Sequence, residues 1–202
     1  MKTYRREPTD REIPRSHPWT AAVSNPASRY HDLKLRPDLV RTSLEDFTPW
    51  AGYSAVETFY TLLEWINGRD GSLESNDCEF TGPHEHASSR SQKARECSGR
   101  LMILYRDLSR NLSLVRVECL EDAVLSRLVQ IDPEFTSGAI GTTIMRTRYV
   151  GLPVPETEQQ GFQLLVSFWA WGDTDTETMG HLDRLFGSLS RVLHEVEAGR
   201  TR

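Results

Sequence analysis

Gly161-Phe-Gln-Leu-Leu-Val-Ser-Phe-Trp-Ala-Trp-Gly172 is the most hydrophobic run in the chain, and it is bounded by glycine at both ends. Phe162, Leu164, Val166, Phe168 and Ala170 alternate with Gln163, Leu165, Ser167, Trp169 and Trp171. In a strand successive side chains point to opposite faces, so the first set makes a wholly apolar face and the second a mixed face rich in tryptophan. This pattern predicts an interior strand whose apolar face packs on helices.

The flanking segments supply those helices. After the strand, Thr174 and Glu177 have capping-box spacing, and Met179, Leu182, Leu185, Phe186, Leu189, Val192, Leu193 and Val196 follow at helical period. Before it, residues 139–150 read as a strand that pairs antiparallel with the tryptophan strand. The ten-residue connection between the two leaves their register open. Further upstream, residues 118–131 carry a helical stripe stopped by Asp132-Pro133, and residues 100–106 form a short apolar strand. Residues 112–117 suit either the helix or a strand. A helix starts at Ser54, where Ser54 and Glu57 again have capping-box spacing, and Asn67-Gly68 is expected to end it in a left-handed turn. A short strand is expected over 77–81, followed by a long exposed loop to about Lys93.

The expected fold is therefore α+β: one antiparallel sheet of about four strands with helices packed on one face, in the order α-β-β-α-β-β-α. Residues 41–202 form a single domain. Residues 1–40 hold five of the ten prolines, which exclude long helices and central strands. They are read as an extended arm, disordered or loosely draped, that adds little to stability.

Composition narrows the function classes. The chain has 202 residues and a formal net charge of −5. Residues 1–40 contain eight Lys or Arg against five Asp or Glu, so they carry +3 and the rest carries −8. An acidic body disfavours general nucleic-acid binding. Three cysteines without paired spacing point to free thiols in a reducing, cytoplasmic setting, and no segment approaches the length needed to span a bilayer. No cofactor fingerprint is present. The chain has no Gly-x-Ser-x-Gly elbow, no P-loop, no dinucleotide glycine motif and no HExxH.

Two clusters remain as candidate sites. Asp77, Cys78 and Glu79 lie just before His84 and His86. His-x-His on an extended segment puts two imidazoles on one side, able to reach one metal ion. Cys78 with a histidine base is the thiol alternative. The second cluster is the mixed face of the tryptophan strand. Trp169 and Trp171 are expected to share it with Ile140, Ile144, Arg146 and Arg148 of the neighbouring strand. Trp and Arg combine large contact area with directional polar groups, which suits an interface. The favoured reading is a non-enzymatic cytoplasmic binding or regulatory module that takes a protein partner or a second copy of itself on this face. The alternative is a small metal-dependent or thiol enzyme centred on residues 77–86.

Overall fold

The structure, a computed structural model, describes residues 1–16, 31–85, 92–150 and 159–199. Five strands form one mixed sheet: β1 (Lys2–Ser16), β2 (Leu73–Glu85), β3 (Arg95–Tyr105), β4 (Gly138–Val150) and β5 (Gln159–Gly172). Their spatial order is β1-β4-β5-β3-β2. Among the described residues four α-helices accompany them: α1 (Ser54–Ile66), α2 (Leu108–Asn111), α3 (Leu114–Ile131) and α4 (Asp175–Ala198).

The α+β class holds, and β5 lies at the centre of the sheet. Two features depart from the expectation. The sheet is not purely antiparallel, because β1 adds a fifth strand parallel to β4, with Lys2 opposite Ala139 and Arg6 opposite Thr143. The start of the proline-bearing segment is thus extended, as its composition requires, but it is paired rather than loosely draped. As the last strand of the sheet it has one side that needs no ladder partner, and that is the place where Pro8 and Pro14 are tolerated. The second departure is length. β2 runs on to Glu85 and β3 begins at Arg95, so residues expected in a loop extend the hairpin.

The apolar face of β5 sets the core. Leu164, Val166, Phe168 and Ala170 are all fully buried in one cluster with Leu101, Ile103, Ile140 and Ile144 of the flanking strands. Helices α1, α3 and α4 supply the opposing side through residues such as Phe59, Leu63, Val124, Leu128, Leu185 and Phe186. Burying side chains of this size contributes about 1.5–3 kcal/mol each before conformational entropy is charged. A chain of aromatic contacts runs through the cluster. Phe47 lies 4.7 Å from both Phe80 and Phe59, Phe59 lies 4.7 Å from Phe186, and Phe186 meets Phe168 edge-on at 4.9 Å. Gly99 makes this possible. A Cβ there would stand 2.5 Å from the Phe168 ring and 2.3 Å from the Glu79 carbonyl oxygen, so only glycine lets the ring lie across β3.

The helix ends show which local signals operate. At α4 the capping box forms: Thr174 Oγ1 accepts from the Glu177 amide at 3.1 Å, and the Glu177 carboxylate accepts from the Asp173 amide at 2.7 Å. At α1 it does not. Tyr53 occupies the N-cap without a side-chain bond, and Glu57 instead pairs with Arg41 at 2.7 Å. The end of α1 has no left-handed residue at Asn67, whose φ is −92°. The Asn67 side chain closes the turn by donating to the Leu63 carbonyl and accepting from the Ser75 amide.

β1 is tied to the helical layer as well as to β4. Arg5 pairs at 3.1 Å with Glu121 of α3, which is almost fully buried, and also bonds Asp122. The N-terminal ammonium bonds the Asp132 carbonyl. Deleting residues 1–16 would therefore leave Glu121 buried without its partner and strip β4 of a neighbour. The expected loss is about 2–4 kcal/mol, kept below a fully buried pair by the solvent around Arg5. Denaturant unfolding of the truncated chain measures it. In the core, Leu185→Asp places a carboxylate among apolar side chains and should cost several kcal/mol, on the order of 3 or more. A Leu185→Asp protein that melts like the wild type would contradict this arrangement of the core.

Candidate functional site

The strand pairing decides which candidate residues can act together. Residues opposite one another in a ladder share a face. Asp77, Glu79 and His84 of β2 stand opposite Met102, Arg100 and Glu96 of β3, and these in turn lie opposite Leu165, Ser167 and Trp171 of β5. They therefore belong to the tryptophan face. Cys78 stands opposite Leu101 and Val166, on the helix-covered face. The sheet separates the Cys78 thiol from His84, so this strand does not bring that nucleophile and base together. Asp77 and Glu79 are engaged by Arg100, at 3.6 and 2.7 Å. His84 Nδ1 contacts the Gly82 carbonyl at 3.0 Å, and His84 Nε2 lies 4.0 Å from Glu96. His86 lies outside the described residues. Among those residues no group of three His, Cys, Asp or Glu side chains could hold a metal ion.

The thiols behave accordingly. Cys78 is half-buried as a residue, with its side chain packed on the core. Burial first, and then the Asp77 and Asp46 carboxylates, push its thiol up to about 12. Burial likewise raises Cys97 to about 12, against the opposing effect of a backbone hydrogen bond. A nucleophilic cysteine requires the opposite shift.

The other cluster is also rearranged. In the β4–β5 ladder Ile140 pairs with Phe168, Ile144 with Leu164 and Arg146 with Phe162, while Arg148 stands opposite Gln160. All four β4 residues lie on the Phe168 face. Arg146 and Arg148 do not flank the tryptophans, and Ile140 and Ile144 belong to the core. The register, set across the connection over 151–158, puts the other parity of β4 beside the indoles: Ala139 opposite Trp169 and Gly141 opposite Ser167.

The basic group beside Trp169 comes instead from β1. Arg6 places its guanidinium carbon 5.1 Å from the centre of the Trp169 ring, within cation–π range. Gly141 forms the floor. A Cβ at that position would lie 3.1 Å from the indole and 3.8 Å from the Tyr4 carbonyl oxygen. Tyr4, Arg5, Arg6, Trp169 and Trp171 line a cleft of about 360 Å³ between β1 and β5. The two tryptophans play different parts. Trp171 is only 3% exposed, and its indole donates to Glu96 at 2.7 Å. Its amide and carbonyl are held by the Ser137 carbonyl and His181 Nδ1. Trp171 is an anchored wall, while Trp169 is half-buried and Tyr4 is 49% exposed at the rim.

Two other parts of this face are covered. At one end Leu104 and Tyr149 are buried against Leu108 of α2 and Leu112. In the middle Asn76, displaced by a bulge in β2, donates to the fully buried Gln163 at 2.8 Å. The cleft beside Trp169 thus shares its face with these covered parts and with exposed polar side chains of β2, Glu79 and His84. Tyr4, Arg6 and Gly141 carry no motif of their own. Only the parallel pairing of β1 with β4 assembles them.

The raised thiol values predict a pH dependence. A neutral thiol is favoured in the folded state, so the stabilisation is complete below the ordinary value of 9.0 and is lost as pH rises from there toward about 12. Exposed Cys119 should react with a neutral alkylating reagent at pH 8 well before Cys78 and Cys97. Mass mapping of the alkylated peptides checks the order, and early labelling of Cys78 would restore it as a candidate nucleophile.

No protein-family model, no curated protein and no solved structure matches this chain.

Proposed function

We propose that the protein is a binding module whose contact surface is the cleft between β1 and β5. The observation that carries this reading is the stacking of Arg6 on half-buried Trp169 above the missing side chain of Gly141, with Trp171 locked behind by Glu96. A preformed cleft with a rigid aromatic wall and an adjacent cation suits a protein partner that inserts an apolar or aromatic side chain next to a carboxylate. A second copy of the chain is the first such partner to test, because it needs no prior identification. The thiol and metal alternative draws no support from the separation of Cys78 and His84 across the sheet.

Trp169 is the residue to probe, since truncating buried Trp171 would also disturb the fold. Trp169→Ala should weaken association by about 2 kcal/mol or more, the scale of a hot-spot truncation, while lowering the stability of the free chain less. Sedimentation over a concentration series, paired with denaturant unfolding, reads both effects. A wild type that remains monomeric throughout would remove self-association. Strong destabilisation by Trp169→Ala would reassign the indole to the internal packing of the sheet and remove the binding reading altogether.

A further inference from the structure

A second cleft, unrelated to the tryptophan face, lies on the helical side of the molecule. It has a volume of about 280 Å³ and is lined by Arg110 at the end of α2, by Arg116, Cys119, Ala123 and Arg127 along one stripe of α3, and by the end of α4. Among the described residues no acidic side chain lines it. Among the described residues none of these three arginines is paired with a carboxylate, in a chain whose net charge is −5.

The charges of α3 are divided by face. Glu121 and Asp122 pair with Arg5 of β1, and Glu118 also acts on Arg5. The three acids, at i, i+3 and i+4, thus address β1, while Arg116 and Arg127 border the cleft. The acids of neighbouring elements are also occupied: Asp107 caps α2, Glu197 accepts from Ser72, and Glu195 pairs with Arg191. Two of the arginines are braced without being neutralised. Arg110 stacks on Tyr105, with its guanidinium carbon 4.2 Å from the ring centre, and its Nε is buried with no hydrogen-bond partner. Arg127 donates to the Ala123 carbonyl at 3.1 Å and leans over Gly199. Among the described residues its remaining N–H groups and those of the Arg116 side chain have no acceptor.

From this arrangement we infer that the cleft binds a phosphate-chain anion. Eleven residues separate Arg116 from Arg127 on α3, which at the α-helical rise places their Cα atoms about 16 Å apart along the axis. Two arginines anchored at that spacing suit the two ends of an elongated anion rather than one monophosphate. The small side chains of Cys119 and Ala123 between them leave the room it occupies. Planar guanidinium groups bind phosphate oxygens in pairs, so each end of a di- or triphosphate can be held by two parallel hydrogen bonds.

Inorganic triphosphate titrated into the full-length protein at constant ionic strength tests this, because fixed salt removes simple screening. Saturable one-to-one binding is expected, and it should weaken by roughly tenfold or more in the Arg116→Gln, Arg127→Gln double variant as two charge-assisted contacts are lost. Bound triphosphate should also slow alkylation of Cys119 by N-ethylmaleimide, which places the ligand in this cleft. Arg36→Gln, at an exposed position before α1 where the guanidinium pairs with Asp38, should leave the affinity unchanged. If the double variant loses its cooperative unfolding transition, Arg116→Gln alone, at an exposed side chain, serves the same comparison. Absence of saturable binding, equal affinity in wild type and variant, or unprotected Cys119 would each overturn the inference. Binding lost in Arg6→Gln instead would overturn it by moving the anion to the other cleft, and would leave the partner-binding reading to its own test.

Discussion

The structure depends on one piece of packing, the Phe168 ring lying across β3 at Gly99 while Phe186 of α4 meets it edge-on. Phe168 sits on the central strand, so its position fixes the distance between sheet and helices for its neighbours on both sides. Phe59 and Phe47 extend the contact from α4 through α1 to the segment before it, and Phe80 returns it to β2. Segments far apart in sequence are thereby joined by ring contacts that tolerate little change in spacing, since close-packed interiors cannot absorb an added side chain without moving backbone. A glycine at position 99 is the condition for all of it.

Committing one sheet face to this layer leaves the other face to be resolved locally, and three solutions are used. Leu108 and Leu112 fold over Leu104 and Tyr149 at one end. Polar side chains pair in the middle, Asn76 with Gln163 and Arg100 with Glu79, although Asn76 Oδ1 and Gln163 Nε2 are buried there without a partner. At the far end Trp171 is sealed by Glu96. What remains is the cleft at Trp169, where β1 provides a cation and an open rim. The cleft thus arises where side chains of edge strand β1 reach across β4 to the central strand β5, and edges of this kind are where sheets meet other molecules.

The same alternation that builds the core takes the other candidate site apart. Asp77, Cys78 and Glu79 are adjacent in sequence, yet a strand must send the middle one to the opposite face. The carboxylates are then neutralised by Arg100 in the open layer, and the thiol is raised by burial in the closed one. Proximity along the chain is a poor guide to proximity of functional groups in a strand. In a helix it is a better one, as α3 shows by collecting acids on the side facing β1 and arginines on the side facing the second cleft.

By itself the sequence determined the periodic features of this protein. The two faces of β5, the stripe of α4 and its Thr174–Glu177 cap, and the existence of β3, α3 and β4 were legible because each depends on side chains a few residues apart. The tertiary structure alone decided the rest. The prolines and charges of β1 conceal its edge position, which exists only because β4 offers a free side. The β4–β5 register assigned Arg146 and Arg148 to the opposite face from the one expected, since a one-residue slip inverts every side chain and the long connection between those strands does not fix it. Arg41 took Glu57 from its expected cap, because a guanidinium brought near by folding competes with a local amide. Tyr4, Arg6 and Gly141 became a site only when a parallel pairing spanning more than a hundred residues set them beside Trp169. A pairing over that separation leaves no local period in the sequence, because what fixes it is the packing of the finished sheet.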